Sequence, residues 1–252
     1  MLTLENLGFA YETRTGSFPV FQGINLEIRE NEFFSVIGPS GCGKSTLLNV
    51  IAGFESPTEG SVKLGGQSIS GISHERAMVF QQDAVFPWLT VSENIAYGLK
   101  VRGVPAEKLA ARVAQLVATV GLEEFARHYP RELSGGMRKR VDLARALAND
   151  PRMLLMDEPF GALDAMTKEK LQAELIQIWE SSKKTVVFIT HDIEEALFLS
   201  DRVALMQPLR FGGAIKVFDV PFQRPRNLFL KEETGFQHMR RELIQEFRRI
   251  EV

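Results

Sequence analysis

A chain of 252 residues, 44% hydrophobic and 25% charged, has room for one large α/β domain or two smaller lobes sharing a core. These proportions exclude a disordered, collagen-like or disulfide-built protein. The formal net charge is −2, and no run of Lys and Arg stands apart from neighbouring acids. The concentrated positive footprint that nucleic-acid backbones require is therefore missing, and no nucleic-acid partner is expected.

The one cysteine, Cys42, excludes an intrachain disulfide and fits a reducing compartment. No apolar run approaches the ~20 residues needed to span a bilayer, and the first residues lack a signal-peptide pattern. The expectation is a chain soluble by itself, touching a membrane only through a partner.

Along the chain, Leu2, Leu4, Leu7 and Phe9, and then Ile24, Leu26 and Ile28, alternate with polar residues. Both stretches read as half-buried antiparallel strands. Residues 33–37 are apolar but for Ser35, as in a strand buried on both faces of a parallel sheet. A glycine-rich turn follows, then a helix over 45–54 and short strands near 61–64 and 76–80. Residues 91–148 show helical spacing and no convincing strand, broken at Gly103-Val104-Pro105, Gly121 and Tyr129-Pro130. This predicts an inserted helical subdomain over about 84–148. A strand at 153–156, helix at 165–181, strand at 185–189, helix at 192–199 and strand at 202–206 then alternate, which argues for a doubly wound sheet. A last strand near 214–219 leads through Pro221 and Pro225 to a charged C-terminal helix. The resulting division is 1–220 as the main domain and 221–252 as a helical tail.

The run Gly38-Pro39-Ser40-Gly41-Cys42-Gly43-Lys44-Ser45, with Thr46 next, fits G-x-x-x-x-G-K-[ST] and lies between the buried strand and a helix. Its glycines let successive N–H groups turn inward as an anion cradle, and the helix N-terminus adds partial positive charge. Lys44 is expected to reach the β- and γ-phosphates of ATP, and the Ser45 hydroxyl to ligate Mg²⁺. Farther on, the apolar strand Met153–Met156 delivers Asp157 and Glu158 at its carboxyl end. Asp157 would hold the metal's water shell, and Glu158 would act as general base on the attacking water. An Asp-Glu pair can also serve as a helix cap, but beside a phosphate loop the pair reads as a nucleotide hydrolase.

Between these elements stands Leu133-Ser134-Gly135-Gly136-Met137, followed by Arg138-Lys139-Arg140 and a helical run. Alone it is a common serine cap whose glycines permit close approach to an oxyanion. In this order and spacing it resembles the signature motif of ABC ATPases, and the resemblance covers residues 1 to about 207. It implies an α/β fold: a P-loop NTPase core with a mostly parallel sheet, an N-terminal antiparallel β subdomain and the inserted α-helical subdomain. It also implies that Tyr11 stacks on adenine, that Gln81 senses metal and γ-phosphate, that Gly161–Asp164 crosses to a partner subunit, and that His191 contacts the γ-phosphate. Ser134, Gly135 and Gly136 would cover the nucleotide of a second chain. The implied assembly is a head-to-tail homodimer, or a dimer with a related ATPase subunit, working with transmembrane permease subunits. A solute-binding protein is implied indirectly, and the place is the cytoplasmic face of the cell membrane, peripherally.

Phe86-Pro87-Trp88-Leu89-Thr90-Val91 and the Met137 form of the signature resemble the importer subgroup for nitrate, sulfonates, taurine and similar small solutes. Met137 stands where Gln is commoner, and the tail after Met206 departs from the strand-rich ending of many importers. The competing expectations are a soluble ABC ATPase not coupled to transport, an exporter subunit, or a kinase sharing only the phosphate loop. The Phe86–Leu89 cluster is read as a groove for a short helix of a membrane partner, with packing inside the helical subdomain as the alternative. Cys42 is read as a small loop residue rather than a redox group. Met239, Leu243, Ile244, Phe247 and Ile250 give the terminal helix an apolar stripe expected to fold back on its own domain.

Overall fold

The structure, a computed structural model, describes residues 1–14 and 16–251. In chain order the elements are β1 (Leu2–Thr13), β2 (Gly16–Ile28), β3 (Phe33–Ile37), α1 (Lys44–Ala52), β4 (Glu59–Leu64), β5 (Gln67–Ser68) and β6 (Arg76–Val79). The helices α2 (Val91–Val101), α3 (Ala106–Thr119) and α4 (Gly135–Ala148) follow, then β7 (Met153–Asp157), α5 (Ala165–Ser182), β8 (Thr185–Ile189) and α6 (Ile193–Leu199). β9 (Arg202–Met206), β10 (Ile215–Asp219) and α7 (Thr234–Glu251) complete the chain. The chain divides into two compact units, Met1–Ser73 with Lys183–Val252, and His74–Ser182.

In the first unit, an antiparallel sheet in the order β2-β1-β4-β5 carries the N-terminal strands. Leu2, Leu4, Leu7 and Phe9 face inward opposite Ile28, Leu26, Ile24 and Phe21. The step from Leu4 to Leu7 breaks the period of two, and the structure supplies the reason. A bulge falls there, with Asn6 at φ 46° and its N–H bonded to Asn25 Oδ1 at 2.9 Å. One extra residue restores the inward face for Leu7.

The same unit holds β3 between β8 and β9, parallel to both, with β10 antiparallel on β9. All five residues of β3 and of β8 are buried, as expected where helices cover both faces. α1 packs Leu47, Leu48, Val50 and Ile51 into this core, and α6 adds Ala196 to Leu199. α7 lays Phe236 and Leu243, both fully buried, on its own unit, where Phe236 meets Phe222 at 5.5 Å. Arg226 anchors the segment before it: its buried guanidinium donates to the carbonyls of Leu197, Phe198 and Ser200 at the end of α6, at 2.8–3.2 Å, and to Phe222.

In the second unit, β6 and β7 pair in parallel, and α2, α3 and α4 pack together through Ile95, Leu99, Val113, Leu116, Val141 and Ala144. The helices end where the sequence breaks: Gly103 to Pro105 separates α2 from α3, and Pro130 opens a short 3-10 turn. α2 starts with a capping box in which Thr90 Oγ1 accepts from the Glu93 N–H and Glu93 Oε2 accepts from the Thr90 N–H. Those bonds to the charged form hold the Glu93 carboxyl below the ordinary range.

Candidate functional site

The phosphate loop leaves β3 at Gly38 and enters α1 at Lys44. Gly38 is buried under the end of β9, and Gly43 takes φ 100°, a left-handed conformation that favours glycine. Lys44 is almost fully buried, and its Nζ donates to the carbonyls of Gly38 and Pro39 at 2.8 and 3.0 Å. Cys42 points inward, 4.0 Å from the same ammonium, and burial pushes its thiol pKa up. Ser40, Gly41 and Ser45 are exposed, while Pro39 and Thr46 are half-buried. Tyr11, on β1, keeps 42% of its surface exposed; its hydroxyl lies 3.4 Å from Thr46 Oγ1 and its ring stands edge-on to Phe9 at 4.9 Å. An accessible aromatic ring is thus fixed beside the first turn of α1.

His191 follows β8 and is exposed. The turn that carries it is stiffened from beneath: buried Thr190 bonds the buried Glu195 carboxylate and accepts the Asp192 N–H at 3.0 Å. Asp192 in turn caps α6 by accepting the Glu194 and Glu195 N–H groups. Glu195 was not singled out from sequence; the signal was a carboxylate three positions after a capping aspartate on a buried helix face.

In the other unit, β7 ends in Asp157, half-buried, and Glu158 takes φ 42° as the chain turns. The exposed Gln81 approaches it, with Nε2 at 3.5 Å from Glu158 Oε2. Two residues named separately from sequence, 77 positions apart, therefore meet. The Gly161 N–H donates to the Glu158 carbonyl at 3.1 Å, closing the turn that leads to Asp164. Asp164 accepts the Thr167 N–H at 3.0 Å; the Thr167 hydroxyl, then its backbone N–H, lower the carboxyl's pKa.

Ser134 caps α4, accepting the Met137 N–H at 3.3 Å, and presents Gly135 and Gly136 in the first turn. A Cβ on Gly136 would come within 2.9 Å of Thr167 Cγ2, so the residue type is set by close approach of α5. Five residues past Gln81, Phe86 stacks with Trp88 at 5.5 Å and Tyr97 at 4.6 Å, and Arg145 lies over its ring at 4.5 Å. Trp88 is 69% exposed, whereas Phe86 is half-buried among these side chains.

Residues 21–161 match the family described as ABC transporter. The chain is 46% identical over 222 residues to a taurine import ATP-binding protein of Jannaschia sp., covering 88% of this chain and 82% of the relative. It is 47% identical over 230 residues to a bicarbonate transport ATP-binding protein of Synechocystis sp., covering 90% and 81%. Among solved structures, an ATP-binding cassette in a dimeric post-hydrolysis state with ADP and Pi superposes with a TM-score of 0.75 at 34% identity, covering 88% of this chain and all of that one. The order of phosphate loop, signature and acidic strand therefore has its explanation: the chain belongs to the ABC transporter family, as one of its ATP-binding, ATP-hydrolysing subunits.

Proposed function

We propose that the chain energises import of a small solute, of the taurine, sulfonate or nitrate kind, through a membrane permease on whose cytoplasmic side it sits. The observation that carries this reading is the placement of Gln81. Its amide contacts Glu158, while the same segment continues within a few residues into the exposed aromatic cluster at Trp88. A site of hydrolysis and a surface suited to a hydrophobic partner thus share one short stretch of chain.

In this proposal the N–H groups of Gly38 to Ser45 and the Lys44 ammonium bind the ATP phosphates, and Tyr11 stacks on the base. Glu158 takes a proton from the attacking water, and Gln81 and His191 orient it and the γ-phosphate. Ser45, Gln81 and Asp157 supply hard oxygen donors of the type Mg²⁺ prefers. Among the described residues no cluster of three or more His, Cys, Asp or Glu forms a dedicated metal cage. Held by Ser45, Gln81 and Asp157 together with substrate phosphate and water, the ion would supply charge neutralisation. Ser134, Gly135 and Gly136 present a second helix N-terminus to the nucleotide of a partner copy, so two chains close around ATP and loosen after its cleavage. Relatives named for taurine and for bicarbonate match almost equally well, which supports a small-solute importer.

Replacing Glu158 by Gln tests the catalytic half. The variant is expected to bind ATP and dimerise in its presence while turnover falls by about a hundredfold or more. Normal turnover would show that the base lies elsewhere, and a strict monomer at saturating ATP would remove the sandwich.

A further inference from the structure

Segment 80–84, which carries Gln81, is gripped by one face of α4. Lys139, only 5% exposed, donates from Nζ to the carbonyls of Phe80 and Gln81 at 2.9 and 2.8 Å, and lies 3.6 Å from Asp83 Oδ1. Arg138 donates to Asp83 Oδ2 at 2.6 Å. Asp142, equally buried, accepts the Ala84 N–H at 3.0 Å and a bond from Arg145 at 3.1 Å, and Arg145 also donates to the Ala84 carbonyl. Residues 138, 139, 142 and 145 recur at helical spacing, so a single ridge of α4 holds the carbonyls of Phe80, Gln81 and Ala84, the Ala84 N–H and the Asp83 carboxylate.

Burying an ammonium and a carboxylate costs several kcal/mol per ion unless both are fully bonded, and an apolar core of the same shape is often at least as stable. Such a cluster is a poor device for stability and a good one for fixing register. We propose that Lys139 and Asp142 are positioning residues that lock Gln81 to α4, so that the helix bearing Ser134, Gly135 and Gly136 at its start sets the approach of Gln81 to Glu158. The proposal rests on the reading of Gln81 and Glu158 as hydrolytic residues and adds the element that controls them. Any shift of α4 carries the Gln81 backbone with it, because its carbonyl is tied to that helix.

The test is steady-state ATP hydrolysis by the full-length chain carrying Lys139→Met, Asp142→Asn or Gln81→Ala, singly and combined, with the melting temperature of each. Lys139→Met is expected to lower kcat about tenfold with KM for ATP within about twofold, and to add nothing on the Gln81→Ala background. Lys139→Arg, which keeps a charged donor for both carbonyls, is expected to recover kcat to within about threefold of the parent. If Lys139→Met fails to fold, Lys139→Gln, with an amide donor, carries the same comparison. Wild-type kcat in the Lys139 and Asp142 variants, or losses that multiply with Gln81→Ala, would overturn the coupling while leaving Gln81 in its role. A Gln81→Ala chain turning over at the wild-type rate would instead overturn the underlying reading, and this proposal with it.

Discussion

A Cβ placed on Gly38 would lie 2.5 Å from the carbonyl oxygen of Met206, which ends the neighbouring strand β9. Backbone blocks the position on that side and Cys42 Sγ, at 2.8 Å, on the other. Neither neighbour is the far end of a flexible chain, so the loop must shift to admit a methyl group. Gly38→Ala is expected to cost about 2–3 kcal/mol in urea unfolding and to weaken ATP binding at least tenfold by titration. A variant of normal stability and affinity would show that the loop yields more readily than its packing implies.

Cys42 lies in the phosphate loop but only 1% of it is exposed, and burial raises its thiol pKa. Because the raised pKa leaves less thiolate at any given pH, alkylation by iodoacetamide at pH 8 should run at least about tenfold slower than for a free thiol. The rate should keep climbing at pH values where a free thiol has levelled off. Rapid labelling at neutral pH, blocked by ATP, would instead establish an open and reactive thiol.

Trp88 projects from its loop with most of its ring in solvent. Trp88→Ala should change unfolding free energy by no more than about 0.5 kcal/mol, the usual range for surface positions. Co-purification of the permease subunits with the tagged chain should be lost. Retained capture, or a large loss of stability, would return the cluster to internal packing.

Arg226 satisfies three carbonyls at the end of α6 that no fourth-residue N–H can reach. Arg226→Met keeps the aliphatic stem but strands those acceptors in a buried setting, so chemical denaturation should show a loss of about 3 kcal/mol. An unchanged midpoint would mean that water or a relaxed tail takes over the bonds.

What the sequence determined by itself was local and directional. The mostly apolar runs at 33–37 and 185–189 gave their strands to the residue, because a strand buried on both faces is apolar except where a small hydroxyl finds a partner, as Ser35 does with Ser200 and Thr185 with the Asn31 N–H. The glycine pattern ending in Lys44-Ser45, the acids after Met156 and the serine cap at 134 were legible because each performs its task within one turn of chain. The break in alternation at Asn6, the exposure of Trp88, the inward turn of Cys42 and the grip of Lys139 on Gln81, 58 positions away, were decided only by tertiary structure. A charged residue on a helix carries no mark of whether it will face water or a buried carbonyl; only the packing of the other segment against it settles that.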